Sequence, residues 1–230
     1  DKDPREVFAD WLIRPDNPWF TGSIVNRAWC WLVGRGIVHE PDDIRRDNPP
    51  SNPELLLHLR GELVAARYDL RHLYGLILKS KTYQLSSIPR TDHPEARAQF
   101  AYYPLRRLDA EVLIDALCQI TGTTESYSSP IPEPFTFIPE DQRSIALSDG
   151  SLTSSFLEMF GRPPRDTGLE SERSNRPTPA QRLHLLNSSH IRKKIEQAQK
   201  ALARNGSKDK PGDAVAAVYL TILSRFPTER

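Results

Sequence analysis

Asn17-Pro18-Trp19-Phe20-Thr21-Gly22-Ser23-Ile24-Val25-Asn26-Arg27-Ala28-Trp29-Cys30-Trp31-Leu32-Val33-Gly34-Arg35-Gly36 is the stretch from which the fold is read. Asparagine is a strong N-cap, and proline suits the first helical position because its missing N–H would be orphaned there anyway. Gly34 and Gly36 supply the stop. Between them, Phe20, Ile24 and Trp31 with Val25, Trp29 and Leu32 predict a broad apolar helix face. The device recurs downstream. Asn52-Pro53 precedes Leu55, Leu56, Leu59, Leu63 and Ala66; Asp69 precedes Leu73, Leu76, Ile77 and Leu78; Asp109 precedes Leu113, Leu117 and Ile120, with Gly122 as the stop.

Residues 122–150 break the period. Pro130, Pro132, Pro134 and Pro139 sit among serines and threonines, which predicts an irregular insertion. Phe135-Thr136-Phe137 and Ser144-Ile145-Ala146-Leu147 are short strand candidates. Helical patterns resume over Leu152 to Phe160. Thr178-Pro179-Ala180-Gln181 then has the form of a capping box, followed by Leu183, Leu185 and Leu186. Ile191, Ile195, Ala198 and Leu202 make the next stripe, ended by Asn205-Gly206, and Asp213 opens the last helix. The fold expected is mainly α: one compact multi-helix bundle over residues 1–230. Helical blocks 4–121 and 151–226 flank the Pro/Ser-rich insertion, with at most a short β-hairpin.

Composition narrows the function. A charged share of 27% and a net charge of +1 give no global attraction to nucleic acid or anionic lipid. The longest nearly apolar run, Ala214 to Leu223, is about half of the roughly 20 residues that span a bilayer. Both ends read as cut from a longer protein. Cys30 and Cys118 each lie in an apolar helical pattern, where a buried inert thiol is the common outcome; one disulfide between them is the alternative. They offer no structural zinc set and no Cys-x-x-Cys-His haem attachment, so no metal or cofactor is expected in this chain. Phosphate-cradling glycine loops, Gly-x-Ser-x-Gly and His-Glu-x-x-His are missing too. His58, His72, His184 and His190 show no ligand spacing.

Several charged groups carry the candidate chemistry. Asp42-Asp43, after His39-Glu40, has the residue types of an acid/base or cation site. Adjacent loop residues point apart, so the structural reading is that one of them caps a turn or pairs with Arg45 or Arg46. Asn26-Arg27 lies mid-helix near indoles; Arg27 is expected to stack on one or to pair with an acid such as Asp43. Arg106-Arg107, after Tyr102-Tyr103, precede a helix start and could grip an anion or sugar, or tie the helix to neighbouring acids. Ser188 to Lys210 holds seven basic residues against two acidic ones, a net +5. It reads as a solvated outer face, with polyanion binding as the alternative.

Taken in order, Asn17-Pro18-Trp19-Phe20, Asn26-Arg27-Ala28-Trp29, Asp42-Asp43, Asn48 to Leu56, Ser80 to Ser87, Tyr102 to Glu111 and Phe160 to Arg165 resemble the planctomycete-type secreted domain. That domain stands at the C-terminal end of large cytochrome c-associated proteins. The resemblance implies a secreted or periplasmic protein, haem in an upstream domain, and a setting of polysaccharide use. It assigns no reaction. Related members usually read Cys-Glu-Cys-Glu-Arg where this chain has Leu169-Glu170-Ser171-Glu172-Arg173. Both cysteines are replaced, and Glu170, Glu172 and Arg173 remain as an expected ion-pair network.

The leading expectation is a non-catalytic module that packs against neighbouring domains of its own polypeptide. The alternative is an enzyme or binding domain for an anionic or carbohydrate ligand, which would need Asp43, Arg27, Arg106, Arg107 and Glu172 to converge.

Overall fold

The computed structural model describes residues 2–132, 136–148, 150–163, 172–205 and 211–228. Nine α-helices lie among them: α1 (Pro4–Leu12), α2 (Pro18–Val33), α3 (Pro53–Ala65), α4 (Leu70–Leu78), α5 (Ala110–Thr121), α6 (Ser155–Met159), α7 (Pro179–Asn187), α8 (Ser189–Asn205) and α9 (Pro211–Leu223). The described β structure is two isolated bridges, Arg45 with Asn48 and Ser128 with Thr153. The mainly α fold is as expected. Backbone contacts gather into two compact units, one running to Arg106 and the other beginning at Arg107.

In the first unit the helix starts follow their caps. Asn17 Oδ1 accepts from the N–H groups of Trp19 and Phe20, Asn52 Oδ1 from Leu55, and Asp69 Oδ1 from Arg71 and His72. Gly34 ends α2 in the left-handed region at φ 87°, where a Cβ would be strained. Val25, Ala28, Trp29 and Val33 of α2 pack with Leu59 and Leu63 of α3, Leu73 and Ile77 of α4, and Phe100. Trp29 meets the Phe100 ring edge-on at 5.2 Å. Full burial of a leucine such as Leu63 contributes about 2–3 kcal/mol. Trp31 departs from its expected place and is 45% exposed. Two residues beyond Trp29 is about 200° around the helix, so burying one indole turns the other outward.

The second unit takes in segment 122–150 together with α5, so the helix before that segment and those after it share one core. Ala110 and Ile114 of α5 meet Phe156, Leu157 and Phe160 around α6 and Ile191 of α8. Thr178 and Gln181 form the expected capping box. Other expectations are corrected. Ser144–Ala146 is one 3-10 turn, not a strand, because the Asp115 carboxylate takes the Ser144 and Ile145 N–H groups at 2.7 and 3.2 Å. Thr136 and Phe137 form no strand, and Phe135 lies outside the described residues. Asp109 precedes α5 without capping it; its Oδ1 accepts from Asn175 Nδ2 at 2.7 Å. Ser154 caps α6, so that helix is shorter than the pattern from Leu152. Ile195 is 49% exposed, and the inward face of α8 runs through Ile191 and Lys194.

Two left-handed glycines of the second unit separate backbone strain from space. Gly122 (φ 64°) has nothing within 4 Å of where a Cβ would stand, whereas at Gly161 (φ 90°) that Cβ would lie 2.1 Å from the Ser174 carbonyl oxygen. Gly122→Ala is expected to cost about 1–2 kcal/mol of conformational strain. Gly161→Ala adds a backbone collision and is expected to cost clearly more, read as a larger fall in urea midpoint by circular dichroism.

Candidate functional site

Asn26 is fully buried, and its amide is spent on backbone. Oδ1 accepts from Val38 N at 2.9 Å; Nδ2 donates to Val38 O at 3.0 Å and Pro41 O at 3.3 Å. The loop it holds begins at Gly36, where a Cβ would stand 3.2 Å from both Asn26 side-chain atoms and 2.2 Å from Val38 O. Anchoring Pro41 presents Asp42, not the expected Asp43, to Arg27, and the two form an ion pair with Asp42 largely buried. Asp43 pairs with Arg45 at 3.0 Å, one of the two partners expected for this acid pair.

Arg106 and Arg107 serve different carbonyls. Arg106 donates to Trp31 O, and also to Leu32 O at 3.3 Å and Cys30 O at 3.5 Å, closing the C-terminal end of α2. Tyr103 Oη adds a bond to Leu32 O at 2.9 Å. A guanidinium there meets both orphan carbonyls and the negative end of the helix dipole. Arg107 donates to Phe160 O at 2.6 Å and Ser174 O at 3.1 Å and lies 5.2 Å from the Phe160 ring centre. Its Nε and Nη1 are buried without a partner, and burial lowers its pKa from the usual arginine value.

Glu111, which the sequence reading passed over, is the centre of charge in the second unit. It is 6% exposed and takes a fork–fork pair from Arg173, both bonds at 2.9 Å, with Arg162 Nε at 3.3 Å. Burial raises its pKa, but the Arg173 bonds and the charges of Arg173 and Arg162 outweigh that, and the carboxyl is held below the usual glutamate value of 4.5. Arg162 in turn donates to Leu152 O. A cavity of about 210 Å³ opens here, bounded by Asp109, Glu111, Arg162, Arg173 and Ser144. The Ser144 side chain is buried, and its hydroxyl faces that of Tyr127. Glu172 is exposed, and Glu170 lies outside the described residues.

A second cluster surrounds Lys194, one turn along α8 from Ile191. Its ammonium is 2.8 Å from Thr124 O, 3.0 Å from Glu125 Oε2, 3.2 Å from Thr123 Oγ1 and 3.2 Å from Cys118 Sγ. His190 Nε2 meets the same Glu125 oxygen at 2.8 Å, and His184 Nε2 lies 3.3 Å from His190 Nδ1. Burial and then the neighbouring His190 lower the His184 pKa. A cavity of about 340 Å³ adjoins, with Cys118, Thr123, Glu125 and Tyr127 in its wall. The Tyr127 hydroxyl is buried facing Ser144, and burial pushes its pKa up to about 12. The sequence reading names Cys118, His184, His190 and the basic run that holds Lys194, but nothing in their spacing brings them together. Among the described residues no group of three or more His, Cys, Asp or Glu side chains is placed to hold a metal ion. Cys30 and Cys118 are not joined in a disulfide, as one of the two readings had it, though each is only half-buried.

Residues 4–230 match the family model PSD1, described as a protein of unknown function (DUF1553). The chain belongs to that family. The resemblance read from the ordered motifs is thereby shown, and it extends past them to the end of the chain. No curated protein and no solved structure matches the chain.

Removing the charge of Glu111 leaves two guanidiniums facing each other in a buried place. Glu111→Gln is expected to destabilise the chain by about 3–5 kcal/mol in urea titration. Because the folded pKa is depressed, the stabilisation from Glu111 is fully present above the unfolded value near 4.5 and is lost as pH falls through the folded value. The wild-type minus Glu111→Gln difference should therefore shrink in acid.

Proposed function

We propose that this chain is a non-catalytic helical module that docks neighbouring domains of a longer exported polypeptide, one that carries haem upstream. One observation supports the reading above others: the charged signature residues are engaged within the fold. Asn26, Arg106 and Arg107 bond backbone carbonyls, Arg27 holds Asp42, and Arg173 holds Glu111. Side chains so committed stabilise a shape that other domains can use.

The docking faces on this reading are apolar helices. α1 buries none of its residues and exposes Val7, Phe8 and Trp11. α9 exposes Val215, Leu220, Ile222 and Leu223. Contiguous exposed apolar surface on a folded domain marks interaction sites more often than it marks idle surface. No described helix is long and apolar enough to cross a membrane. The second reading, an enzyme or binding domain for an anionic or carbohydrate ligand, is favoured by the cavity that Glu111, Arg162, Arg173 and Ser144 line.

Calorimetric titration with the neighbouring domains separates the two. Phe8→Glu with Trp11→Glu should leave the melting temperature of the chain unchanged and weaken that association by at least about tenfold, the loss of one apolar anchor. Unchanged association would remove α1 from the docking face. Saturable heat with sulfated or carboxylated sugars, abolished by Ser144→Val, would establish the second reading.

A further inference from the structure

The Lys194 cluster is absorbed by neither reading. An ammonium has three N–H donors, and Lys194 has four acceptors within 3.2 Å, one of them a cysteine sulfur. A buried lysine needs a charge partner, which Glu125 supplies, but it does not need a thiol. Cys118 also forms part of the wall of the 340 Å³ cavity, so small solutes reach the sulfur. No other cysteine follows Arg106, so the second unit holds no second thiol to resolve an oxidised Cys118 as a disulfide. The nucleophile nearest the sulfur among its hydrogen-bond partners is an amine, carried by a different helix.

We propose that Cys118 is a modification site for hydroperoxides and that Lys194 resolves the product as a covalent sulfur–nitrogen bond joining α5 to α8. In the first step the sulfur attacks the peroxide oxygen. The O–O bond breaks, Cys118 becomes a sulfenic acid, and the peroxide is reduced to water or an alcohol. In the second step Lys194 gives its ammonium proton to Glu125 Oε2, 3.0 Å away, an oxygen already hydrogen-bonded to His190. The freed amine attacks the sulfenyl sulfur. The S–N bond forms, the S–O bond breaks, and hydroxide leaves with the second nitrogen proton as water. Sulfur has lost two electrons and the peroxide has gained them. A dithiol reverses the change by attacking sulfur and expelling the amine. The existing 3.2 Å contact needs only a short approach of two side-chain ends.

The test treats the whole chain, in a Cys30→Ser background, with hydrogen peroxide. The product is read by intact mass, dimedone labelling and tryptic mapping. The expected product is about 2 Da lighter, uncut after Lys194, with the Cys118 and Lys194 peptides linked, and restored by dithiothreitol. Lys194→Arg should instead stop at a dimedone-reactive sulfenic acid. A wild-type Cys118 that stops about 16 Da heavier as a sulfenic acid, forms an intermolecular disulfide or resists peroxide overturns the proposal. The peptide map of the Lys194-containing chain decides the matter alone if Lys194→Arg fails to fold.

Discussion

A buried backbone carbonyl without a donor forfeits about as much free energy as a lost hydrogen bond, and helices leave four such carbonyls at each C-terminal end. This chain meets that constraint with long polar side chains reaching across tens of residues. Arg106 closes α2 at Cys30, Trp31 and Leu32. Arg107 and Gln181 take Phe160 and Met159 at the end of α6, and Arg162 takes Leu152 ahead of it. Lys194 takes Thr124 in the segment after α5, and Asn26 takes Val38 and Pro41 in the loop after α2. With 20 prolines among its 230 residues the chain has many short elements, hence many ends. Polar anchoring of loops and ends is the cost of that economy of helix length.

The same constraint explains why residues that look catalytic in the sequence are engaged in the structure. An arginine drawn into the fold to bond a backbone carbonyl, as Arg107 and Arg162 are, loses water, and such a cation then draws acids or aromatic faces to itself. Arg107 over Phe160 and Arg162 with Arg173 around Glu111 are the two outcomes. The first leaves nitrogen atoms without acceptors, and the second leaves a small polar cavity. Both are by-products of holding loops on short helices. A cavity of this origin is lined by acids and arginines that already face each other.

The Lys194 cluster stands apart because its chemistry exceeds its structural need. Thr124 O, Thr123 Oγ1 and Glu125 would suffice to bury the ammonium, and the sulfur and the two histidines go beyond this. A nucleophilic thiol, an amine and a carboxylate that can take a proton lie within hydrogen-bond reach beside an open cavity. Such an arrangement gives a helical scaffold a chemical response that apolar packing lacks.

The local part of this architecture was legible in the sequence. Asn17-Pro18, Asn52-Pro53, Asp69, Gly34, Gly122 and Thr178 to Gln181 marked helix boundaries because a cap involves neighbours a few residues apart. The apolar stripes of α2, α3 and α4 were readable for the same reason, apart from Trp31, whose side was settled by which of two indoles Phe100 could meet. What tertiary structure alone decided were the partners. That Arg27 takes Asp42 while Asp43 goes to Arg45 follows from the path of a loop pinned by Asn26. That Asp115 folds Ser144–Ala146 into a turn, that Glu111 gathers Arg162 and Arg173, and that Lys194 reaches Cys118 depend on residues 29 to 76 positions apart. Periodicity records which face of an element turns inward; it carries no record of which distant side chain that face will meet.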